Sequence, residues 1–137
     1  MTNSSLARSY LVKATKRLRI LSVLLDEEAY SDVVREAQEI VELALKGMLR
    51  QVGVEPPKWH DVGPFLLDFE KRFPVNVRPH LNRLAQISSQ LRKERELAFY
   101  GDVDFIPTER YTKADGIEAI RNAEFSVEGA RQVIPEK

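Results

Sequence analysis

The sequence contains no cysteine and only two histidines. Without cysteine, the chain can form no disulfide, thiolate metal site or cysteine nucleophile. His60 and His80 lie far apart in sequence, and neither belongs to a metal-ligand motif. We therefore expect no metal site and no bound cofactor.

The sequence also has no net charge, since 21 lysines and arginines balance 21 aspartates and glutamates. This balance excludes a global basic field that would attract nucleic acid, so any such binding needs a local cluster. No apolar run approaches the roughly 20 residues that a membrane span needs. The N-terminus also lacks the apolar core of a signal peptide. We expect a cytoplasmic protein with no membrane partner.

The chain does have helical periodicity, and its 137 residues, 43% of them hydrophobic, suffice for one domain with a proper core. Apolar stripes predict helices that begin near Ser4 or Ser5, at Ser31, after Asp61, at Pro79 and after Thr112. The second covers residues 31–51, the short third 62–72 and the last 112–134, while 102–110 reads as an irregular loop. Short connections make sequential helices antiparallel. We therefore predict one all-α domain over residues 1–137, an antiparallel up-down helical bundle of four long helices plus one short helix.

Residues 81–102 form the most unusual stretch, because an arginine falls on their apolar face. Leu84, Ser88, Leu91, Arg95 and Ala98 share heptad spacing. A guanidinium stays charged, so on an inward face it needs a carboxylate or an anionic ligand. Both interpretations stay open: an ion pair with Glu39, Glu42 or Glu94, or an anion site that Arg92 would share.

Other polar residues have a structural and a functional interpretation. Gln38 falls within the apolar seam of the second helix and needs hydrogen-bond partners if it is buried. Glu42 and Lys46 form an i,i+4 pair. His60 is either a structural link before the third helix or a site residue, because imidazoles titrate near neutral pH. The basic residues of the first helix are a solvated face or phosphate contacts; they are Lys13, Lys16, Arg17 and Arg19.

Four segments, taken in order, resemble the small prokaryotic form of the HEPN domain (higher eukaryotes and prokaryotes nucleotide-binding). They are A-Q-E-I-V-E-L-A-L-K-G at residues 37–47, G-V-E-P-P-K-W-H-D at 53–61, R-E-L-A-F-Y-G-D at 95–102, and a helix entered after Tyr111. The resemblance covers nearly the whole chain. It implies a helical bundle that forms homodimers and is often encoded beside a minimal nucleotidyltransferase, in pairs that include toxin–antitoxin systems.

The resemblance also implies a ribonuclease motif, from which this sequence departs. Many HEPN domains cleave RNA without metal through R-x(4-6)-H, and two such motifs meet across the dimer. Arg95 matches the arginine, but Tyr100 stands where the histidine would be. A phenol, whose pKa is ordinarily about 10, is a poor general base at neutral pH.

Three functions follow as hypotheses. The first is a dimeric, non-catalytic partner that binds nucleotide, RNA or a nucleotidyltransferase. Its expected ligand-binding residues are Arg92, Arg95, Tyr100, Asp102, Glu42 and His60. The second is a metal-independent ribonuclease that uses Arg95 and Tyr100. The third is a structural interaction module whose arginines form interface ion pairs.

Overall fold

The structure, a computed structural model, describes residues 3–58 and 61–135. Over these residues the chain has four long helices: α1 (Asn3–Asp26), α2 (Tyr30–Gln51), α4 (Leu81–Phe99) and α6 (Lys113–Val133). Two short helices, α3 (Gly63–Asp68) and α5 (Pro107–Arg110), lie in the connections. The all-α helical bundle predicted from the apolar stripes is confirmed.

Pairs of contacting residues show how the long helices run. Arg17 on α1 meets Glu36 and Glu39 on α2, and Ser4 near the start of α1 meets Gln51 at the end of α2. On α4, Arg92 meets Glu42 and the later Arg95 meets the earlier Glu39. In both pairs of helices, contacts that advance along one helix move backwards along the other. Both α1 and α4 therefore run antiparallel to α2.

Helix α2 is the centre of the bundle because it is apolar over a broad arc. It packs against α1, α4 and α6. Its buried hydrophobic residues are Val33, Val34, Ala37, Ile40, Val41, Ala44, Leu45, Met48 and Leu49. Each large one contributes roughly 1.5–3 kcal/mol by leaving water. This burial holds the polar edge of α2 in a fixed position between α1 and α4.

Three local predictions were wrong. Ser31 does not cap α2, because the helix begins one residue earlier and Ser31 is buried. The third helix does not reach Arg72: α3 ends at Asp68, since Phe69 leaves the helical conformation, and a 3₁₀ turn follows at Glu70–Arg72. The 102–110 loop is not wholly irregular, because Pro107 opens the single turn of α5.

Two predicted helix signals are present. Thr112 accepts a hydrogen bond from the Asp115 backbone N–H at 3.2 Å, and Asp115 accepts one from the Thr112 N–H at 2.8 Å. This reciprocal pair is a capping box that fixes the start of α6. Gly53 follows the end of α2 with φ +83°, a conformation that side chains disfavour. Across the described residues, no helix combines the length and the apolar character that crossing a bilayer requires.

Candidate functional site

Arg95 lies about one turn before the end of α4, on the helix face that packs against α2. Its seam neighbours Leu91 and Ala98 are buried, whereas the Arg95 side chain is 42% exposed. The stem of Arg95 therefore follows the buried face while its guanidinium reaches the surface, as long cationic side chains commonly do. The position combines a fixed backbone with a charged group that solvent can reach.

Glu39 on α2 is the carboxylate that faces Arg95, and it is shared by three guanidiniums. Its oxygens lie 2.9 Å from Arg17 Nη2, 3.6 Å from Arg35 Nη2 and 4.0 Å from Arg95 Nη2. The contact with Arg95 is the longest of the three. Three carboxylates were left open as partners of Arg95. In the structure the partner is Glu39, and the contact is long, which indicates a weak ion pair.

Glu42 holds the neighbouring arginine of α4. Its Oε1 lies 3.6 Å from Arg92 Nη1 and 3.2 Å from Lys46 Nζ. Gln38 is buried, and its amide donates to Glu42 Oε2 at 3.2 Å, while its amide oxygen has no hydrogen-bond partner among the described residues. The expected i,i+4 pair of Glu42 and Lys46 is present. Glu42 therefore has one cationic partner on α2 and one on α4.

These ion pairs form two neighbouring groups along α2, one around Glu36 and Glu39 and one around Glu42, which together we call the α2–α4 charge network. It contains five cations and three carboxylates, so it carries an excess of positive charge. The cations are Arg17, Arg35, Lys46, Arg92 and Arg95, and the carboxylates are Glu36, Glu39 and Glu42. An excess of cations around partly buried carboxylates leaves capacity for an added anion.

Arg17 is the cation that the carboxylates of the network hold most strongly. Partial burial lowers the pKa of Arg17, but the charges and hydrogen bonds of Glu36 and Glu39 outweigh that effect and raise the pKa above its usual value. Since Arg17 lies 2.9 Å from Glu39, it takes up much of the negative charge that Arg95 would otherwise face alone. Arg95 is consequently the cation that can most easily change partner.

A shallow depression of about 450 Å³ opens beside Arg95 at the end of α4. Three cations line it, namely Arg92, Lys93 and Arg95, together with the carboxylates of Glu96 and Asp102. The depression is wide and open to solvent, which suits a phosphate group better than an enclosed small molecule. It brings together Arg92, Arg95 and Asp102 from the predicted site.

The Asp102 carboxylate is hydrogen-bonded to the backbone of its own loop rather than paired with an arginine. Its Oδ1 accepts a hydrogen bond from the Val103 N–H at 2.7 Å, and its backbone exchanges two 2.9 Å hydrogen bonds with Phe105. Gly101, just before it, has φ +72°. A Cβ there would lie 2.4 Å from the Phe105 carbonyl oxygen and 2.5 Å from the Pro107 ring. The loop that closes the depression therefore requires glycine.

Tyr100 is not brought into the depression. Its side chain is 77% exposed, and its ring meets Phe99 edge to face at 4.7 Å. It is absent from the residues that line the depression beside Arg95. His60 lies outside the described residues. The other imidazole, His80, packs against Phe125 at the opposite end of α4, roughly 22 Å from Arg95 at 1.5 Å per residue.

Sequence reasoning missed Arg35, Glu36 and Lys93 as members of this region. It had noted Arg17 only within a basic group, and the structure divides that group. Lys13 and Arg17 line a depression over Glu39 and Glu42, whereas Lys16 and Arg19 line a separate groove between α1 and α6. The available signal was the row of acidic residues on α2, since Glu36, Glu39 and Glu42 recur every three residues.

Comparison with known protein families matches residues 7–133 to the HEPN domain family, which covers nearly the whole chain. Neither the search of curated proteins nor the search of solved structures found a match. The chain therefore belongs to the HEPN domain family, and this membership indicates a nucleotide- or RNA-binding or a ribonuclease-like role.

Proposed function

We propose that this protein is a dimeric, non-catalytic HEPN protein that binds phosphate groups of RNA or nucleotides through Arg92 and Arg95. We also propose that it works as the partner of a minimal nucleotidyltransferase, in a pair of toxin–antitoxin type. One observation carries the binding proposal. The Arg95 guanidinium is 42% exposed beside an open depression, and its carboxylate partner lies at 4.0 Å.

Exchange of Glu39 for a phosphate is electrostatically feasible. Glu39 keeps Arg17 and Arg35 as partners when Arg95 turns away, so this partly buried carboxylate is not left without a cation. A phosphodiester carries one negative charge, as a carboxylate does, and a terminal phosphate of a nucleotide carries up to two; a guanidinium can bind either with two parallel hydrogen bonds. Arg92, whose side chain is 31% exposed, lies one turn earlier on the same helix. The two arginines can hold adjacent oxygens of one phosphate or neighbouring phosphates.

The geometry supports binding rather than cleavage. Cleavage without a metal needs a group that accepts the proton of the 2′-hydroxyl. Tyr100 is exposed and does not line the depression, and His80, the imidazole within the described residues, lies at the far end of α4. The arginines can stabilise phosphate charge, but among the described residues no suitable base accompanies them.

An apolar cluster around the end of α4 supports the dimer. Ten large hydrophobic side chains are exposed in the described part of the chain, and five of them fall within residues 97–106. We call these five the 97–106 cluster: Leu97, Phe99, Tyr100, Val103 and Ile106. Concentrated exposed apolar surface marks an interaction site. If two chains pair through this cluster, their Arg95 side chains approach each other.

We expect Val103→Glu to weaken or abolish the dimer without unfolding the chain. Val103 is 89% exposed, so the charge is harmless in a monomer, but it costs several kcal/mol if a dimer interface buries it. Val75→Glu is the matched control, because Val75 is 74% exposed and lies outside the cluster. Sedimentation velocity should give a dimer for the wild type and the control, and a monomer for Val103→Glu. A monomeric wild type, or equal behaviour of the two variants, would contradict the dimer surface.

The nucleotidyltransferase partner is supported by the family resemblance. Co-expression with the protein encoded by the adjacent reading frame provides the test. A nucleotidyltransferase that co-purifies in a fixed stoichiometry supports the pairing, and separate elution of two folded proteins contradicts it.

Binding to single-stranded RNA tests the functional proposal. In fluorescence anisotropy, a 12-nucleotide RNA should bind, and log K should fall with log salt concentration at a slope of about −1.4 for two phosphate contacts. The RNA should stay intact in excess chelator. Chelator-resistant cleavage that both Arg95→Ala and Tyr100→Phe abolish would instead establish the ribonuclease hypothesis. If no RNA binding is detected at low salt and Arg95→Ala weakens only the dimer, the remaining hypothesis would be the structural interaction module.

A further inference from the structure

The groove between α1 and α6 combines basic and apolar side chains. Its volume is about 390 Å³, and it opens on the side of α1 that faces α6 rather than α2. Leu11, Val12 and Thr15 form its uncharged surface. The rest of its lining is cationic: Arg8, Lys16, Arg19 and Arg131. None of the described residues that line it is acidic, in contrast to the α2–α4 charge network, where every cation faces a glutamate.

The cations of this groove have few partners. Arg8, Lys16 and Arg19 make no ion pair within 4 Å with any described residue. Arg131 meets Glu128 of its own helix at 3.3 Å, and both of these side chains are exposed. Helix α1 offers the groove no carboxylate, since its one acidic residue is its last. Positive charge is therefore concentrated here, although the whole chain has a net charge of zero.

Exposed aliphatic side chains extend the groove along α1. Val12 is 52% exposed, Val23 is 60% exposed, and Ile20 lies exposed beside them. Residues that recur at steps of three or four share one face of a helix. Five residues do so here, and we call this face the α1 outer stripe: Arg8, Val12, Lys16, Arg19 and Val23. From its first residue to its last the stripe is roughly 22 Å long.

The mixture of aliphatic and cationic side chains suits a protein helix better than a nucleic acid. Single-stranded RNA is typically held by aromatic side chains that stack on its bases, and no aromatic residue lines this groove. Phosphates would pair with the cations but would leave Val12 and Val23 in contact with water. A helix that carries acidic residues on both sides of an apolar face complements the cations and covers the valines together.

A second copy of this chain is a poor occupant of the same face. Two copies that pair symmetrically present the same surface to each other. Lys16 and Arg19 of one chain would then meet the cations of the other, and facing like charges costs several kcal/mol. The charge of the stripe therefore points to a different, acidic partner.

We propose that the α1 outer stripe and the groove beside it dock an acidic amphipathic helix of a partner protein. Apolar side chains of that helix would cover Val12 and Val23, and its carboxylates would pair with Lys16, Arg19 and Arg131. The length of the stripe corresponds to a partner segment of about 15 residues. The surface is separate from Arg95 and from the 97–106 cluster, so the inference goes beyond the proposed function and depends on neither RNA binding nor the dimer.

A synthetic helix of about 15 residues is the probe. It carries leucines at a and d spacing with glutamates on both sides, and lactam bridges on its outer face keep it helical. In a ¹H–¹⁵N NMR titration, this acidic helix should shift the amide signals of residues 8–23 of α1 and 128–132 of α6. The same helix with lysine in place of each glutamate should shift none of them. A helix of equal composition with its leucines dispersed should bind at least about tenfold more weakly.

Two pairs of variants separate the contributions of charge and apolar contact. Lys16→Glu should weaken binding of the acidic helix about tenfold or more, because attraction becomes repulsion. Lys13→Glu makes the same change at an exposed lysine of α1 that lines the depression toward α2, so it should change affinity far less. Val12→Ser should weaken binding about threefold or more through lost apolar contact, whereas Val75→Ser, outside the stripe, should not. All four side chains are exposed, so the fold should be kept.

Three results would overturn the proposal. The first is the absence of shifts in α1 with millimolar acidic helix. The second is an equal loss of affinity in Lys16→Glu and Lys13→Glu, which would indicate only non-specific charge attraction. The third is tighter binding of this face to single-stranded RNA or to phosphatidylglycerol vesicles than to the acidic helix, which would assign the face to nucleic acid or to lipid.

Discussion

Arg95→Ala should lower the affinity for single-stranded RNA by about tenfold or more, because a charge-assisted contact to phosphate is worth roughly 1.5–3 kcal/mol. Stability should change little. The side chain is 42% exposed and its contact with Glu39 is 4.0 Å long, so the ion pair itself contributes little. Anisotropy at fixed salt gives the affinity, and urea denaturation gives the free energy of unfolding.

Arg83→Ala is the matched control for Arg95→Ala. Arg83 lies on the same helix, roughly 18 Å away along the axis. Its guanidinium sits 3.9 Å above the Phe125 ring and does not line the depression. Removing it takes one positive charge from α4 without touching the proposed site. Equal losses of RNA affinity for both variants would mean that only the overall charge matters, and the assignment of Arg95 would fail.

Gly101→Ala should destabilise the protein by at least about 2 kcal/mol and should also impair RNA binding. The positive φ alone disfavours alanine. In addition, the new Cβ would lie 2.4 Å from the Phe105 carbonyl oxygen, which is backbone and cannot turn away. The 101–106 loop must open, which breaks the hydrogen bonds between Asp102 and Phe105. The depression beside Arg95 loses its wall at the same time.

Gly53→Ala measures the cost of backbone strain without the steric clash that is expected in Gly101→Ala. Gly53 also has positive φ, +83°, but its Cβ would meet only the end of the Arg72 side chain, at 3.7 Å. The strain alone should cost about 1 kcal/mol there. Urea denaturation of the two variants gives the comparison, and RNA affinity should be unchanged in Gly53→Ala. Equal destabilisation of the two variants would show that the 101–106 loop relaxes around the added methyl group and that its geometry is not required.

The bundle could be predicted because periodicity determines which helix faces are buried. The seam Leu84, Ser88, Leu91 and Ala98 is buried as predicted, and its spacing is what singled out Arg95. Helix ends were less predictable. Ser31 had the composition of a cap but lies inside the first turn of a helix that starts without a side-chain cap. Composition alone does not tell whether a serine ends up capping a helix or buried within it.

The partners of Arg95 could not be predicted because they depend on the axial alignment of two helices. Glu39, Glu42 and Glu94 were equally acceptable from spacing, and the alignment of α4 on α2 decides among them. That alignment brings Arg95 to Glu39 and Arg92 to Glu42, while Glu94 turns toward Tyr111. Arg35 was missed, and Arg17 was noted only within a basic group, for the same reason, since only the packed bundle shows that they share Glu39 with Arg95.

The burial of Tyr111 was beyond sequence reasoning as well. Tyr111 was noted only as the residue before the last helix. Its burial follows from the contact with Phe105 in a loop that carried no periodic signal. Contacts made by loop residues leave little trace in local patterns.

Mapping the binding site of a nucleotide by NMR tests the central claim most directly. In a ¹H–¹⁵N titration with AMP, we expect the largest shifts at residues 92–102 of α4 and its loop, with smaller ones at residues 35–42 of α2. The arginine side-chain signals of residues 92 and 95 should move with them. Shifts confined to the groove of Arg8, Arg19 and Arg131, or no shift at saturating AMP and RNA, would contradict an anion site at the end of α4.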